Sequence, residues 1–199
     1  MEPPLPPETG VLLVATRLLF PAFLLVSIVE LIFEVRLSRR NSAALVRQGA
    51  LNVAPRTLPI MTALYVLMYA GTWLEYLYLR MPVSLSWFAG AGAVYIAAKL
   101  LKFWAVRSLG PYWTMKVLVL PGSKTVTTGP YRWIRHPNYV AVLMEIAGTT
   151  LAGRAFWTCM TVLALFCVVL YYRIRVEEDT LAGHTDYANS MTMKRRFLP

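Results

Sequence analysis

The chain has 199 residues, 57% of them hydrophobic and only 15% charged, with a formal charge of +10. A soluble domain carries about a quarter charged residues, so this composition excludes an ordinary water-soluble globule and indicates a membrane protein. The bases sit at the ends of apolar stretches and form no stripe with interleaved aromatics, so nucleic acid is excluded as a partner.

The opening "MEPPLPPETG" holds two acids, four prolines and no base. A secretory signal starts with bases, so the apolar run from Val11 is expected to be a retained span. A hydrocarbon core about 30 Å thick needs about 20 mostly apolar helical residues. Five candidates follow in order: residues 11–35, 57–79, 84–106, a shorter stretch at 138–152, and 155–172. "RMPVS", with Pro82 as its break, joins the second and third. "AGR" joins the last two so tightly that they should form a helical hairpin. No strand-like alternation is present. The expected fold is all-α: a polytopic integral membrane bundle of about five transmembrane helices. It forms one domain over residues 1–199, with a three-span scaffold at 1–107 and a hairpin-bearing region at 108–199.

Arg36, Arg39, Arg40, Arg47 and Arg56 separate the first two spans. Arg107, Lys116, Lys124, Arg132 and Arg135 lie between the third and fourth, and Arg173, Arg175, Lys194, Arg195 and Arg196 follow the fifth. The opposite side has only Arg17, Arg80 and Arg154. The positive-inside rule then expects the N-terminus outside and the C-terminus in the cytosol. Lys99 and Lys102, near the inner end of the third span, can snorkel. Cys159 and Cys167 are eight apart on one expected helix, about 12 Å, too far for a disulfide. They read as packing residues.

The polar chemistry gathers in "TTGPYRWIRHPNYVAVLMEIAG". His136 precedes a proline and is biased to an extended backbone, while Pro137 suits a first helical turn. The fourth span should begin there, its positive end facing the cytosolic mouth and favouring an anion, with His136 and Tyr139 in the same space. In "YYRIRVEED", Arg173 and Glu177 are four apart, as are Arg175 and Asp179, so each pair shares a helix face. The alternative is a merely solvated, salt-bridged helix, but the tight hairpin brings this segment near "RHPNY". Among the intramembrane acids, Glu30 and Glu34 can meet Arg36 or Lys99, and Glu75 can reach the outer interface. Glu145, on the face of Pro137 and Ala141, is expected to look into a pocket above the mouth. "GPYWTMK" adds Tyr112, Trp113 and Lys116, as an interfacial belt or as a site for a cationic ligand. Two histidines and no CxxC, HExxH or DxD spacing argue against a metal. No GxSxG, GxGxxG or Walker A motif is present.

The stretch from about Leu109 to Pro199 resembles the isoprenylcysteine carboxyl methyltransferase family, including its small bacterial members. The residues that carry the resemblance are "TVTTGPYRWIRHPNY", "RIRVEE" after a hydrophobic hairpin, Tyr187, and the terminal "RRFLP". "YWTMK" and "NYVAVLMEIAG" look most like bacterial members that methylate alkylpyrone or phenolic lipids. The resemblance implies a polytopic enzyme, in a bacterial inner membrane, that uses S-adenosylmethionine at the cytosolic face. The family's cofactor segment falls on Ser123, Lys124, Thr125 and Val126, its tyrosine on Tyr131, and its His-Pro-x-Tyr on His136, Pro137, Asn138 and Tyr139. Its later arginine and glutamate fall on Arg173 and Glu177, with Arg175 and Glu178 as neighbours. Lys116 stands where eukaryotic members have a glutamine, and Ser123-Lys124 where they have histidine-threonine.

These assignments imply roles. Pro137 and Arg173 suit the cofactor's carboxylate, Glu177 its ammonium or ribose, and Tyr131, Trp133 and Tyr139 its adenine or sulfonium. His136 or Glu145 could serve as base toward a hydroxyl acceptor. That acceptor would be a lipophilic small molecule, entering from the membrane lipid between helices. Two rival readings remain at this point: a membrane NADPH-dependent sterol-type reductase, which shares His-Pro-x-Tyr, and a non-enzymatic transporter or scaffold.

Overall fold

The computed structural model describes residues 7–79, 84–191 and 193–197, with side chains from residue 18 onward. The side chain of Arg17 and the link carrying Arg80 and Pro82 lie outside the described residues. The helices are α1 Pro7–Arg47, α2 Thr57–Leu79, α3 Leu85–Leu109, α4 Pro137–Ala152, α5 Phe156–His184 and the short α6 Tyr187–Met191.

Four segments are long and apolar enough to cross a membrane: Leu18–Arg47, Thr57–Leu79, Leu85–Tyr112 and Phe156–His184. The remaining expected span, α4, is the short one and has a different place in the bundle. With 16 residues, α4 is about 24 Å long, short of the hydrocarbon thickness. It lies inside the bundle, where Ala141, Ile146, Thr149, Thr150 and Ala152 expose no surface. Gly148 explains how α4 fits there. A Cβ at Gly148 would stand 2.8 Å from the backbone nitrogen of Tyr95, so only glycine lets α4 lie this close to α3.

The helix ends follow from local chemistry. Ser84 caps α3, its hydroxyl accepting from the Trp87 amide at 3.3 Å. Pro137 opens α4. Gly153, Arg154 (φ 57°) and Ala155 turn the chain into α5. Glu75 reaches across from α2 and accepts from the amides of Trp157 (3.1 Å) and Thr158 (3.0 Å), placing a carboxylate on unpaired N–H groups. Both outer helices outrun their expected spans. α1 stays helical through Arg36, Arg39 and Arg40 to Arg47, and α5 through the whole of "RIRVEED" to His184. Two-residue strands, β1 Leu51–Asn52 and β2 Leu118–Val119, pair antiparallel with Leu51 opposite Val119. They are too short to leave an alternation in the sequence.

Polarity is turned inside out relative to a soluble fold. Leu25, Val66, Leu100, Phe103 and Val168 point outward, while Lys102, His136, Glu145, Arg173 and Glu178 are buried. Apolar surface without and charge within is the arrangement a hydrocarbon solvent requires; the protein is an integral membrane protein.

One cluster of charges joins α1, α3 and α4. Lys99 Nζ lies 3.2 Å from Glu30, 2.9 Å from Glu34 and 2.7 Å from Glu145. Lys102 Nζ lies 2.5 Å from Glu34 and 2.7 Å from Glu145, and Tyr95 donates to Glu30 at 2.6 Å. Lys99 and Lys102 therefore do not snorkel. They turn inward, because three carboxylates from α1 and α4 would otherwise be uncompensated in a low-dielectric interior.

Candidate active site

Where α4 begins and α5 leaves the bundle, a cavity of about 150 Å³ opens. Its walls come from the segment after α3, from residues 131–139, from α5, and from α6. Gly129 (φ 60°) starts the 3-10 turn Gly129–Arg132 that carries Tyr131 to this wall. A Cβ there would stand 2.0 Å from Ser108 Oγ, so the turn can press against α3 only with glycine. His136 sits at the N-cap of α4 with φ −127° and ψ 55°. Its amide donates to the carbonyl of Arg196 at 3.1 Å, and the Arg135 amide to that of Arg195 at 3.0 Å. The C-terminal segment thus buttresses "RHPNY" from behind.

The side chains at this junction are linked. Arg173 Nε donates to the Tyr139 hydroxyl at 2.8 Å, and its Nη2 to the Met115 carbonyl at 2.6 Å. The Tyr139 hydroxyl donates in turn to Glu177 Oε2. The expected Arg173–Glu177 pairing is therefore indirect: a phenol stands between the two charges. Glu177 lines the cavity, and among the described residues only its Oε2 is engaged. The His136 ring stacks on Tyr139 at 5.3 Å, and its Nε2 lies 3.0 Å from Glu178 Oε1. A carboxylate only accepts, so Nε2 carries the proton of this bond. Glu178 also takes Arg196 Nη2 at 2.7 Å and Arg135 Nη1 at 3.3 Å.

The rim is tethered too. Gly122 (φ 74°) turns the chain, its amide donating to the His184 carbonyl at 2.9 Å, and the Thr125 amide donates to Asp186 Oδ1 at 2.7 Å. That hydrogen bonding from Thr125 holds the Asp186 carboxyl below its usual range. Tyr131 and Tyr187 both have raised pKa values, first through burial and then through the charges of Glu177 and Glu178 respectively. Both remain neutral phenols at physiological pH. A second, mostly apolar cavity of about 110 Å³ lies between α1 and α2 and shares Trp113, Asn138, Tyr139 and Arg173 with the first.

Most of the residues singled out from sequence converge here. Lys116, Ser123, Lys124, Thr125, Val126, Tyr131, His136, Asn138, Tyr139, Arg173 and Glu177 all line the first cavity. Five do not. Pro137 is buried in the helix start. Glu178 stands behind His136. Arg175 points to the opposite side of α5, onto Tyr171 at 3.2 Å, without its expected Asp179 partner. Trp133 is half exposed and packs on Trp104 at 5.4 Å. Glu145 has no view of the cavity, because both its oxygens are held by Lys99 and Lys102. Sequence reasoning missed the supports. Asn41 of α1 donates to the Trp113 carbonyl at 2.9 Å, and Ser38 accepts from the Met115 amide at 2.9 Å. Lys194 donates to the Tyr131 carbonyl at 2.8 Å. The available signal was faint: two small polar residues three apart near the end of a basic helix.

A model of the isoprenylcysteine carboxyl methyltransferase (ICMT) family matches residues 91–183. The uncharacterized protein YpbQ of Bacillus subtilis strain 168 is 34% identical over 168 residues, 84% of this chain and 99% of that protein. An uncharacterized protein of Haemophilus influenzae is 24% identical over 151 residues, 75% of this chain and 87% of its own length.

Proposed function

The chain belongs to the isoprenylcysteine carboxyl methyltransferase family of membrane methyltransferases, and from that premise we propose its reaction. It moves a methyl group from S-adenosylmethionine to an oxygen of a lipophilic acceptor, either a carboxylate or a phenol or enol hydroxyl. Family membership favours this over the reductase and transporter readings. The observation that carries it is Glu177: a carboxylate lining a cavity beside aromatic rings, with one oxygen unengaged by the described residues.

The donor set fits the cofactor's chemistry. Glu177 suits an ammonium or a ribose diol, and Lys116 and Lys124 suit a carboxylate. The faces of Trp113, Tyr131 and Tyr139 suit an adenine or a cation. When bound, the sulfonium supplies an electrophilic methyl and a neutral thioether leaving group. The protein's work is then positioning. Arg173 fixes the Tyr139 hydroxyl, which fixes Glu177. Glu178 fixes the tautomer of His136, leaving Nδ1 to accept a proton from a hydroxyl acceptor; a carboxylate acceptor needs no base. The cavity between α1 and α2 suits the acceptor's apolar body, meeting the first cavity at Tyr139 and Arg173. The surplus of bases supports a cytosolic face for the site and for the C-terminus, in a bacterial inner membrane.

The test is binding of labelled S-adenosylhomocysteine to the purified protein, followed by transfer of labelled methyl from S-adenosylmethionine into prenylcysteine, alkylpyrone and alkylphenol acceptors. Binding in the micromolar range, weakened about tenfold or more by Glu177→Gln, supports the reading. Absence of binding by the folded wild type, or equal binding by Glu177→Gln, overturns it.

A further inference from the structure

A third cavity, of about 410 Å³, lies on the far side of the hairpin from the site described above, between α4 and α5. Its floor is apolar, with Leu170 and Ile174 buried. Toward one end lie Met144 and the exposed Cys167, and at the other Arg175, Arg196 and Phe197. Cys167 and Arg175 are eight residues apart on α5, about 12 Å along the helix. The groove therefore runs lengthwise, from hydrocarbon contacts to two guanidiniums.

Its depth in the bilayer follows from α5 itself. The helix has 29 residues, about 43 Å, more than one crossing requires. Exposed Trp157 marks one interface, and exposed Tyr171 and Tyr172 the other. About 20 residues from the start of α5, the chain reaches Arg175. The charged end of the groove thus lies at headgroup level and the rest lies among acyl chains.

The charge there is unbalanced. Arg175 donates from Nη2 to the Tyr171 hydroxyl and lies over that ring at 5.3 Å. Among the described residues no carboxylate comes within ion-pair distance of it. Arg196 spends Nε and Nη2 on Glu178, leaving Nη1 unengaged among the described residues. We propose that this groove binds an anionic membrane lipid, its acyl chain along Leu143, Met144 and Cys167 and its phosphate between Arg175 and Arg196. This lipid groove is independent of the methyl-transfer reading, because it shares no lining residue with the first cavity.

The experiment is native mass spectrometry of protein released from membranes holding equal phosphatidylglycerol and phosphatidylcholine. The wild type should retain phosphatidylglycerol about fivefold or more over phosphatidylcholine, the contribution of roughly one interfacial guanidinium. Arg175→Gln should remove most of that preference and Arg175→Lys should keep much of it. Leu143→Trp, which fills the groove, should lower retention of both lipids. Equal retention by the wild type, or an undiminished preference in Arg175→Gln, overturns the proposal. So does a dimer that Leu143→Trp dissolves, since a second copy would then be the occupant.

Discussion

Two clusters of buried charge sit on neighbouring faces of α4, and they are built on opposite principles. In the first, Glu30, Glu34 and Glu145 meet Lys99 and Lys102, and each ammonium touches at least two carboxylates. Glu145 lines neither the first cavity nor the apolar one, although its partner Lys102 reaches the wall of the latter. In the second, Arg173, Tyr139 and Glu177 form a chain that ends on a carboxylate oxygen with no engagement among the described residues, at a cavity wall. The first cluster is closed and ties α1 to α3 and α4. The second is open at one end. A buried charge is expensive in a membrane, and these two clusters tolerate it for different reasons: mutual pairing in the first, a ligand still to come in the second.

The sharpest way to break this contrast is to exchange the consequences. Lys102→Met leaves Glu34 and Glu145 with Lys99 alone. Uncompensated buried charge costs about 3–5 kcal/mol, so the thermal midpoint should fall steeply. Any loss of cofactor binding should then follow unfolding and be recovered at low temperature. Restoring the wild-type charge balance with Lys102→Met plus Glu145→Gln should recover much of the stability. If the single variant melted like the wild type, the cluster would not brace α1 against α3 and α4. Gly148→Val attacks the same region without charge. Its Cβ would meet the Tyr95 backbone, and overpacking of this kind costs about 1–3 kcal/mol. Gly148→Ala should cost less.

The open cluster should answer in binding before stability. Tyr139→Phe removes the hydroxyl that links Arg173 to Glu177 and keeps the ring that stacks on His136. Hydrogen bonds to charged groups contribute about 1.5–3 kcal/mol, so cofactor affinity should drop about tenfold with a smaller change in melting. A variant that melts far below the wild type and binds normally when cold would place Tyr139 with the closed cluster instead.

How much of this was legible depends on distance along the chain. α2 runs from Thr57 to Leu79, the range its apolar run indicates, and Pro137 marks the start of α4. His136, Tyr139, Arg173 and Glu177 converge because a three-residue turn folds the hairpin, and turns are local. What the sequence left open was rotational phase. Arg173 and Arg175 are two residues apart, about 200° around a helix, so only one of them can face the cavity. Which one is decided by how α5 packs on α2, and that is tertiary. The same holds for Glu145, whose partners lie 43 and 46 residues away on α3. Its burial was foreseeable; the lysines turned toward it were not. Ser38 and Asn41, which hold the loop at Trp113 and Met115, show only their three-residue spacing, and their partners lie more than 70 residues away.

The smallest effect is expected at the rim, where Asp186 takes the Thr125 amide and thereby holds the segment Ser123 to Val126 against α5. This group is solvent-exposed, so its loss should leave the melting midpoint unchanged and loosen only the cofactor segment. Asp186→Ala should raise the dissociation constant for S-adenosylhomocysteine modestly, and Asp186→Asn, whose amide oxygen can still accept, should do less. The sign with pH is fixed by the direction of the shift. A depressed carboxyl contributes above its free value of 3.8 and ceases to contribute as pH falls through the lower folded value. Wild type and Asp186→Ala should therefore differ at neutral pH and converge below that range. A difference that persisted in acid would show that Asp186 acts through something other than its charge, and the tether would then belong with the structural contacts of the closed cluster.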